Sequence, residues 1–385
     1  MTEPRVTTRA LMIFHDDSSL VVARAFADLL AERGAAVSFM RFVARPGLPD
    51  KLSPRQLDQG LGGWCVDRTA IGLQACDEAY LGRFSLVASA KFPVLYRKLW
   101  AARGWRFAGE RPLFLALFPG LELTHGRGYE IRRHADILCL PTRRDIDDYA
   151  RRALPGRPAG QTTLRFHPRL LRREPPQRPS PRRLVFFTQS ISPATLAGRL
   201  DVARLLVDIA HAHPGVEVVV KRRHRRDENL NHTHIEQHDY ETLLGQIGMP
   251  GNLRISDESA DAALDAAGMA LTCSSTSGVE ALARGVPTMF FLDYAEAGAD
   301  PLNAPMRTLL ADGGPLATRE QVSALAPPRP KATWLETVLS TQSDLDAVLA
   351  AMAYGRRTLA PSRGSSLGRA RVMVDAVAAR ILGSL

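Results

Sequence analysis

Residues 269–292, MALTCSSTSGVEALARGVPTMFFL, constrain the fold more than any other stretch of the chain. Residues 269–272 are too short and too apolar for anything but a buried strand. Ser274, Ser275, Thr276 and Ser277 follow where the next helix begins, Gly285 stops that helix, and Pro287 prevents its continuation into a second apolar strand. A strand, a short helix and another strand joined this tightly belong to a parallel sheet built from right-handed crossovers. A helix start carries partial positive charge and unpaired N–H groups, so it is a seat for a phosphate. A cap needs one hydroxyl, and this turn offers four.

The same alternation runs through the rest of the chain. The first half reads as strand 10–14, helix 20–33 and strand 36–42, then apolar runs at 84–88, 113–118 and 137–140, a helix at 144–153 and an extended piece at 162–166. Residues 45–80 have too little periodicity to place. The segment LRREPPQRPSPRR, 171–183, is rich in proline and arginine and reads as a stiff linker. Beyond it come strand 184–188, helix 193–211, strand 216–221, helix 240–247, strand 252–256 and helix 260–267, which leads into the serine turn. The expected architecture is two doubly wound, Rossmann-like α/β domains facing a cleft. Residues 1–170 form the first, 184–343 the second, and 344–385 form amphipathic helices returning to the first.

With 385 residues, 45% hydrophobic and 23% charged, there is apolar material for two cores. The net charge of +10 favours anionic partners such as nucleotides, acidic glycans or an anionic membrane face. A nucleic-acid groove would need aromatic platforms among its cations; aromatics are only 6% and none interleaves residues 221–226. The cysteines have neither metal-site nor redox spacing, and neither a signal peptide nor a membrane-spanning run is readable, so the expectation is a cytoplasmic protein, peripheral at most to the inner membrane face.

In parallel sheets, ligands sit outside the carboxyl ends of the strands. Asp16 and Asp17, Gln189, Lys221 to Arg226, and Ser274 all follow such ends. Asp16 or Asp17 is a candidate general base; one carboxylate suffices to cap the next helix and a second is free. Gln189 suits a nucleobase or phosphate. Lys221, Arg223 and His224 suit phosphate or carboxylate. Glu280, one turn into the helix after the serines, can reach a ribose hydroxyl while the serines hold phosphate. Glu122 and His125, on the Gly-rich run FPGLELTHGRGYE, are second-choice acid/base groups. His232, His234 and His238 are too loosely spaced for zinc, so no metal is expected. No GxGxxG, GxSxG, HExxH or Walker sequence is present.

SSTSGVEALARGVPT, with FFTQS and VVVKRRHRRDENLNHTHIEQHDYETLL, resembles the donor domain of bacterial GT-B glycosyltransferases that use CMP-activated acidic sugars, including sialyl-, polysialyl- and Kdo transferases. The whole chain is also similar to an uncharacterised bacterial family described as glycosyltransferases. The resemblance implies a metal-independent, inverting transfer from a nucleotide sugar to a glycan or glycolipid. Ser274 and Ser275 would hold the CMP phosphate, with Thr276 or Ser277 assisting. Lys221 and His224 would take the place of the family's His-Pro motif, and Asp16 or Asp17 that of its acidic base. His224 is followed by Arg225 where that motif has proline, and Asp17 by Ser18 where it has glycine. A sugar-nucleotide epimerase of the UDP-N-acetylglucosamine 2-epimerase kind, or a non-catalytic nucleotide-binding protein, would use the same cleft.

Overall fold

The computed structural model describes residues 8–43, 51–72, 77–91, 111–123, 126–152, 154, 157–158, 160–173, 182–228 and 235–358. His125, His232, His234, most of the 171–183 segment and the expected helix at 367–382 lie outside the described residues.

Two parallel sheets carry the fold. The first contains β1 (Arg9–Phe14), β2 (Ala36–Val43), β3 (Arg68–Ile71), β4 (Leu86–Ser89), β5 (Leu113–Ala116), β6 (Ile137–Leu140) and β7 (Thr162–Arg165), in the order β3-β2-β1-β4-β5-β6-β7. The second contains β8 (Arg183–Phe187), β9 (Glu217–Lys221), β10 (Leu253–Ser256), β11 (Met269–Thr272), β12 (Thr288–Phe291) and β13 (Leu316–Ala317), in the order β10-β9-β8-β11-β12-β13. Counted from its own first strand, the second sheet repeats the first sheet's order up to the extra β7. Strand order reverses direction at β1/β4 in one and at β8/β11 in the other, and such a switch point opens a crevice for a ligand.

The strands read as continuous apolar runs because both faces are covered. In β1, Ala10, Met12 and Phe14 join one core cluster while Leu11 and Ile13 join the cluster on the opposite face. In β8, Leu184 and Phe186 face one cluster, Val185 and Phe187 the other.

The chain crosses between the sheets twice, and the two crossings pair. Leu171 forms a parallel bridge with Ser340. Ser340 donates its backbone N–H to the Leu170 carbonyl (2.9 Å), and its hydroxyl accepts from the His167 N–H (2.8 Å). After the return crossing, the helix Gln342–Thr358 buries Leu345, Val348 and Met352 in the core of the first sheet.

Local chemistry sets the helix ends. The first helix, Asp17–Ala31, starts earlier than its apolar periodicity suggests because Asp16 and Ser19 form a capping box. The helix Leu196–Ala212 starts later than expected, at the Thr195 cap after Pro193. In the 45–80 region, where periodicity fails, Ser53 and Gln56 form a capping box, Pro54 opens the helix Pro54–Leu61, and Gly62 closes it in the left-handed conformation (φ 56°).

Candidate active site

The carboxyl ends of β1, β4, β8, β9 and β11 converge on one interdomain cleft of about 440 Å³, within the roughly 300–1,000 Å³ of small-molecule sites. Asp17 and Lys91 line it from the first sheet; Gln189, Lys221, Arg223 and Ser274 line it from the second.

The serine turn is anchored at the second switch point. Thr272, ending β11, donates its hydroxyl to the Phe187 carbonyl of β8 (2.9 Å) and accepts from the Ser275 N–H (3.3 Å). Ser275 caps the helix Thr276–Ala283, accepting from the Ser277 N–H (3.2 Å). Thr276 is used by the other domain: its hydroxyl accepts from the Leu121 N–H (3.2 Å). The approach is close enough that a Cβ on Gly120 would lie 2.6 Å from that oxygen. Ser274 is 2% exposed and faces the cleft, and its hydroxyl has no partner among the described residues. Ser277 also lines the cleft.

The cationic run after β9 divides. Lys221 is buried at the cleft wall, with its Nζ donating to the Arg222 carbonyl and no carboxylate in ion-pair reach among the described residues. Burial, then the nearby Arg55 charge, push its pKa down to about 8. Arg223 reaches across to Asp17 (Nε–Oδ2 3.1 Å, Nη2–Oδ1 3.3 Å) and to Gln189 Oε1 (3.3 Å). Arg222 and Arg225 turn outward to Asp257. His224 is not on the cleft. It is 4% exposed, 3.8 Å from Glu236, and borders a separate cavity of about 20 Å³ with Thr188 and Tyr240. Its expected contact with the donor is therefore replaced by a place behind the cleft wall.

The paired carboxylates after β1 also take separate tasks. Asp16 is 1% exposed; its Oδ1 accepts from the Ser19 N–H (3.0 Å) and its Oδ2 from Lys91 Nζ (2.5 Å). Burial pushes its pKa up, but Lys91 and His15 outweigh this and hold it at about 2. A carboxylate so occupied and so weakly basic is a cap, which corrects the expectation that it could serve as base. Asp17, in the first helical turn, faces the cleft.

Glu280 borders the cleft but is bound by Arg169 (2.5 Å), which also holds Asp261 (3.0 Å). Burial raises the Glu280 pKa, and Arg169, His167 and Arg284 more than offset it, so the net shift is downward. Glu122 lines the cleft beside Gly128, where a Cβ would collide with its carboxylate.

Several residues at or behind the site are invisible to motif reading, Lys91, Arg169 and Arg199 among them, and Gln56 is marked only by its capping box with Ser53. Arg199 is 2% exposed and donates to the carbonyls of Gln189 (2.8 Å), Ser190 (2.7 Å) and Pro193 (2.9 Å), fixing the loop after β8. Its signal is an arginine in register with Val202, Ala203 and Leu206 on the buried face of its helix. Among the described residues, no group of three or more His, Cys, Asp or Glu side chains could hold a metal ion, and no helix is long and apolar enough to cross a membrane.

Two parallel sheets of matching strand order, joined by paired crossings and facing a shared cleft, define the GT-B class. The chain belongs to the family described as "Putative glycosyltransferase (DUF6716)", which matches residues 13–353. No curated protein matches it. Among solved structures, it is similar to a UDP-GlcNAc 2-epimerase of Methanocaldococcus jannaschii in complex with UDP-GlcNAc and UDP (TM-score 0.55, 8% identity, covering 90% of this chain and 100% of that one). It is also similar to a putative UDP-N-acetylglucosamine 2-epimerase of Listeria monocytogenes (0.52, 11%, 98% and 97%). The glycosyltransferase SnogD of Streptomyces nogalater aligns with a TM-score of 0.41 at 16% identity, covering 90% of this chain and 99% of that one.

Proposed function

We propose that the cleft binds a nucleotide sugar, with a CMP-linked acidic sugar of the sialic acid or Kdo type as the donor, and that the protein transfers the sugar with inversion and without a metal to a glycan or glycolipid hydroxyl. The observation that carries this reading is Ser274. It is a buried hydroxyl facing the cleft beside a helix start with no partner among the described residues, and the Lys221 ammonium lines the same cleft with no carboxylate in ion-pair reach among them. That combination is built for an anion with oxygen acceptors.

In the proposed reaction the Asp17 carboxylate accepts the proton of the acceptor hydroxyl. The hydroxyl oxygen forms a bond to the anomeric carbon while the bond from that carbon to the phosphate oxygen breaks. The electron pair leaves with the phosphate, whose charge is met by Ser274, the positive end of the helix that Ser275 caps, and Lys221. Arg223 holds Asp17 in an ion pair on the cleft wall (3.1 Å).

Thermal shift against CMP, UDP, GDP and their sugars tests the reading, since a ligand of the native state raises apparent stability. Stabilisation by CMP compounds is expected. Stabilisation by uridine compounds alone removes the CMP assignment, and none by any nucleotide removes the cleft assignment. An epimerase reading is favoured by one observation, the carboxylates on both walls: Asp17 and Glu122 on one side, Glu258 and Asp261 on the other. Recovery of an isomerised nucleotide sugar with no acceptor present would decide for it.

A further inference from the structure

The helix Pro54–Leu61 belongs to the first sheet's domain yet is fastened to the second. Gly60 lies so close to Leu20 that a Cβ there would sit 2.5 Å from its Cδ2, which seats the helix on Asp17–Ala31. From its other end Arg55 donates to Glu228 (3.0 Å) and to the Asp257 carbonyl (2.9 Å), and Ser53 donates to Glu228. Gln59 also reaches the Asp257 carbonyl (3.3 Å). The helix thus lines the cleft from the first domain with its first turn held by the second.

Within that turn Gln56 is 8% exposed and lines the cleft. Its Oε1 accepts from the Ser53 N–H (3.0 Å), which fixes which way the amide faces. Its Nε2, with two N–H groups, is buried and has no partner among the described residues. The capping box therefore turns the acceptor oxygen toward the Ser53 backbone and leaves the donors on the other side of the amide. Such a group discriminates: it rewards an oxygen acceptor and gives nothing to a hydroxyl that must donate. Lys221, lining the same cleft with no carboxylate in ion-pair reach among the described residues, biases that acceptor toward an anionic oxygen.

We propose that Gln56 is a specificity-determining residue whose Nε2 donates to an anionic oxygen of the donor, either a phosphate oxygen or the carboxylate of an acidic sugar. The proposal rests on the reading of the cleft as a nucleotide-sugar site. It makes the Pro54–Leu61 helix a recognition element for the donor, although it comes from the opposite domain.

The test exploits the cap. Gln56→Glu keeps an Oε for the Ser53 N–H, the arrangement most common in capping boxes, and replaces the inward N–H groups with a carboxylate oxygen. Gln56→Met removes the inward donors without adding charge. Calorimetric titration of wild type and both variants with CMP, UDP and CMP-N-acetylneuraminate reads the effect, with melting temperature of the unliganded protein as the control for folding. The expected result is an unchanged or higher melting temperature for Gln56→Glu together with an affinity loss of about tenfold or more, and a smaller loss for Gln56→Met. Loss with CMP and UDP assigns the contact to phosphate; loss confined to CMP-N-acetylneuraminate assigns it to the sugar carboxylate. Equal or tighter binding by Gln56→Glu overturns the role of Gln56 while leaving the cleft assignment standing. Absence of binding by the wild type to all three probes overturns both.

Discussion

Replacing Ser274 with alanine should move unliganded stability and ligand affinity in opposite directions. The Ser274 hydroxyl is 2% exposed and without a partner among the described residues. A buried unpaired polar group costs about 1–3 kcal/mol, so its removal is neutral or stabilising by up to roughly 1 kcal/mol after the lost packing is deducted. With a phosphate in place the same hydroxyl makes a charge-assisted hydrogen bond worth about 1.5–3 kcal/mol, and losing it raises Kd by about 10- to 150-fold. In a thermal-shift assay at ~100 Kd of the wild type, a nucleotide contributes about 2.7 kcal/mol; after a tenfold loss the same concentration contributes about 1.4 kcal/mol. Ser274→Ala should therefore melt at or above the wild-type temperature alone and show about half the nucleotide-induced increment. The reasoning is refuted by the reverse pattern, in which the unliganded variant melts lower and the increment is unchanged.

The two carboxylates after β1 should separate in the same way. Asp17→Asn should lower kcat for the nucleotide sugar identified by the screen by about 10²- to 10⁴-fold with little change in melting, whereas Asp16→Ala should cost about 1–2 kcal/mol through the lost cap; exchanged effects would return the base to Asp16. Acid should destabilise the fold early. Burial lowers the pKa of both His15 and His167 to about 4, so the unfolded chain takes up protons first as pH falls. Their contribution is complete above the unfolded value near 6.5 and declines between pH 6.5 and 4, by up to about 3 kcal/mol each. Urea midpoints that stay flat from pH 7 to 4.5 would rule this out. Gly278→Ala should destabilise by ~1–3 kcal/mol in the same assay, because a Cβ there would lie 2.4 Å from the buried Phe290 ring and 2.8 Å from Thr272 Cγ2; wild-type stability would show that the helix can move away from β11 and β12.

Much of the architecture is legible in sequence because parallel strands buried on both faces leave apolar runs that need no long-range information. Met269–Thr272, Leu184 onward and Ile137–Leu140 appear where their apolar runs place them, and the turns after β1, β8, β9 and β11 meet because carboxyl ends of parallel strands share one edge. Strand β13 and helix Pro54–Leu61 escape this signal. The first spans only Leu316–Ala317, and the second buries just Gln56, Gly60 and Leu61, too few positions to make a period. Its capping box and αL glycine were the readable marks. Asp16 and Asp17 look equivalent in sequence; placing the helix start at Asp17 makes the first a cap and sends the second toward the cleft. Arg169, Lys91 and the Thr276–Leu121 contact are set by partners 75 or more positions away, and no local pattern encodes them.

The distribution of contacts between the domains bears on how the cleft could work. The attachments at its edges are desolvated: Arg55 meets Glu228 where the glutamate side chain is 5% exposed, and Arg169, 4% exposed, joins Asp261 and Glu280. Burial raises the Glu228 pKa, but Arg55, Ser53 and the Arg225 N–H reverse the shift and hold it at about 2. Removing one partner of such a pair strands the other charge out of water, so these contacts resist opening. The pair at the centre lines the cleft itself. Asp17 and Arg223 are each about one-fifth exposed, so a bound ligand can reach both. A ligand anion at Arg223 and a ligand hydroxyl at Asp17 would give each charge a new partner as the pair separates. The edge contacts hold the two walls in register, while the central pair keeps its two charges where a ligand in the cleft can take them over.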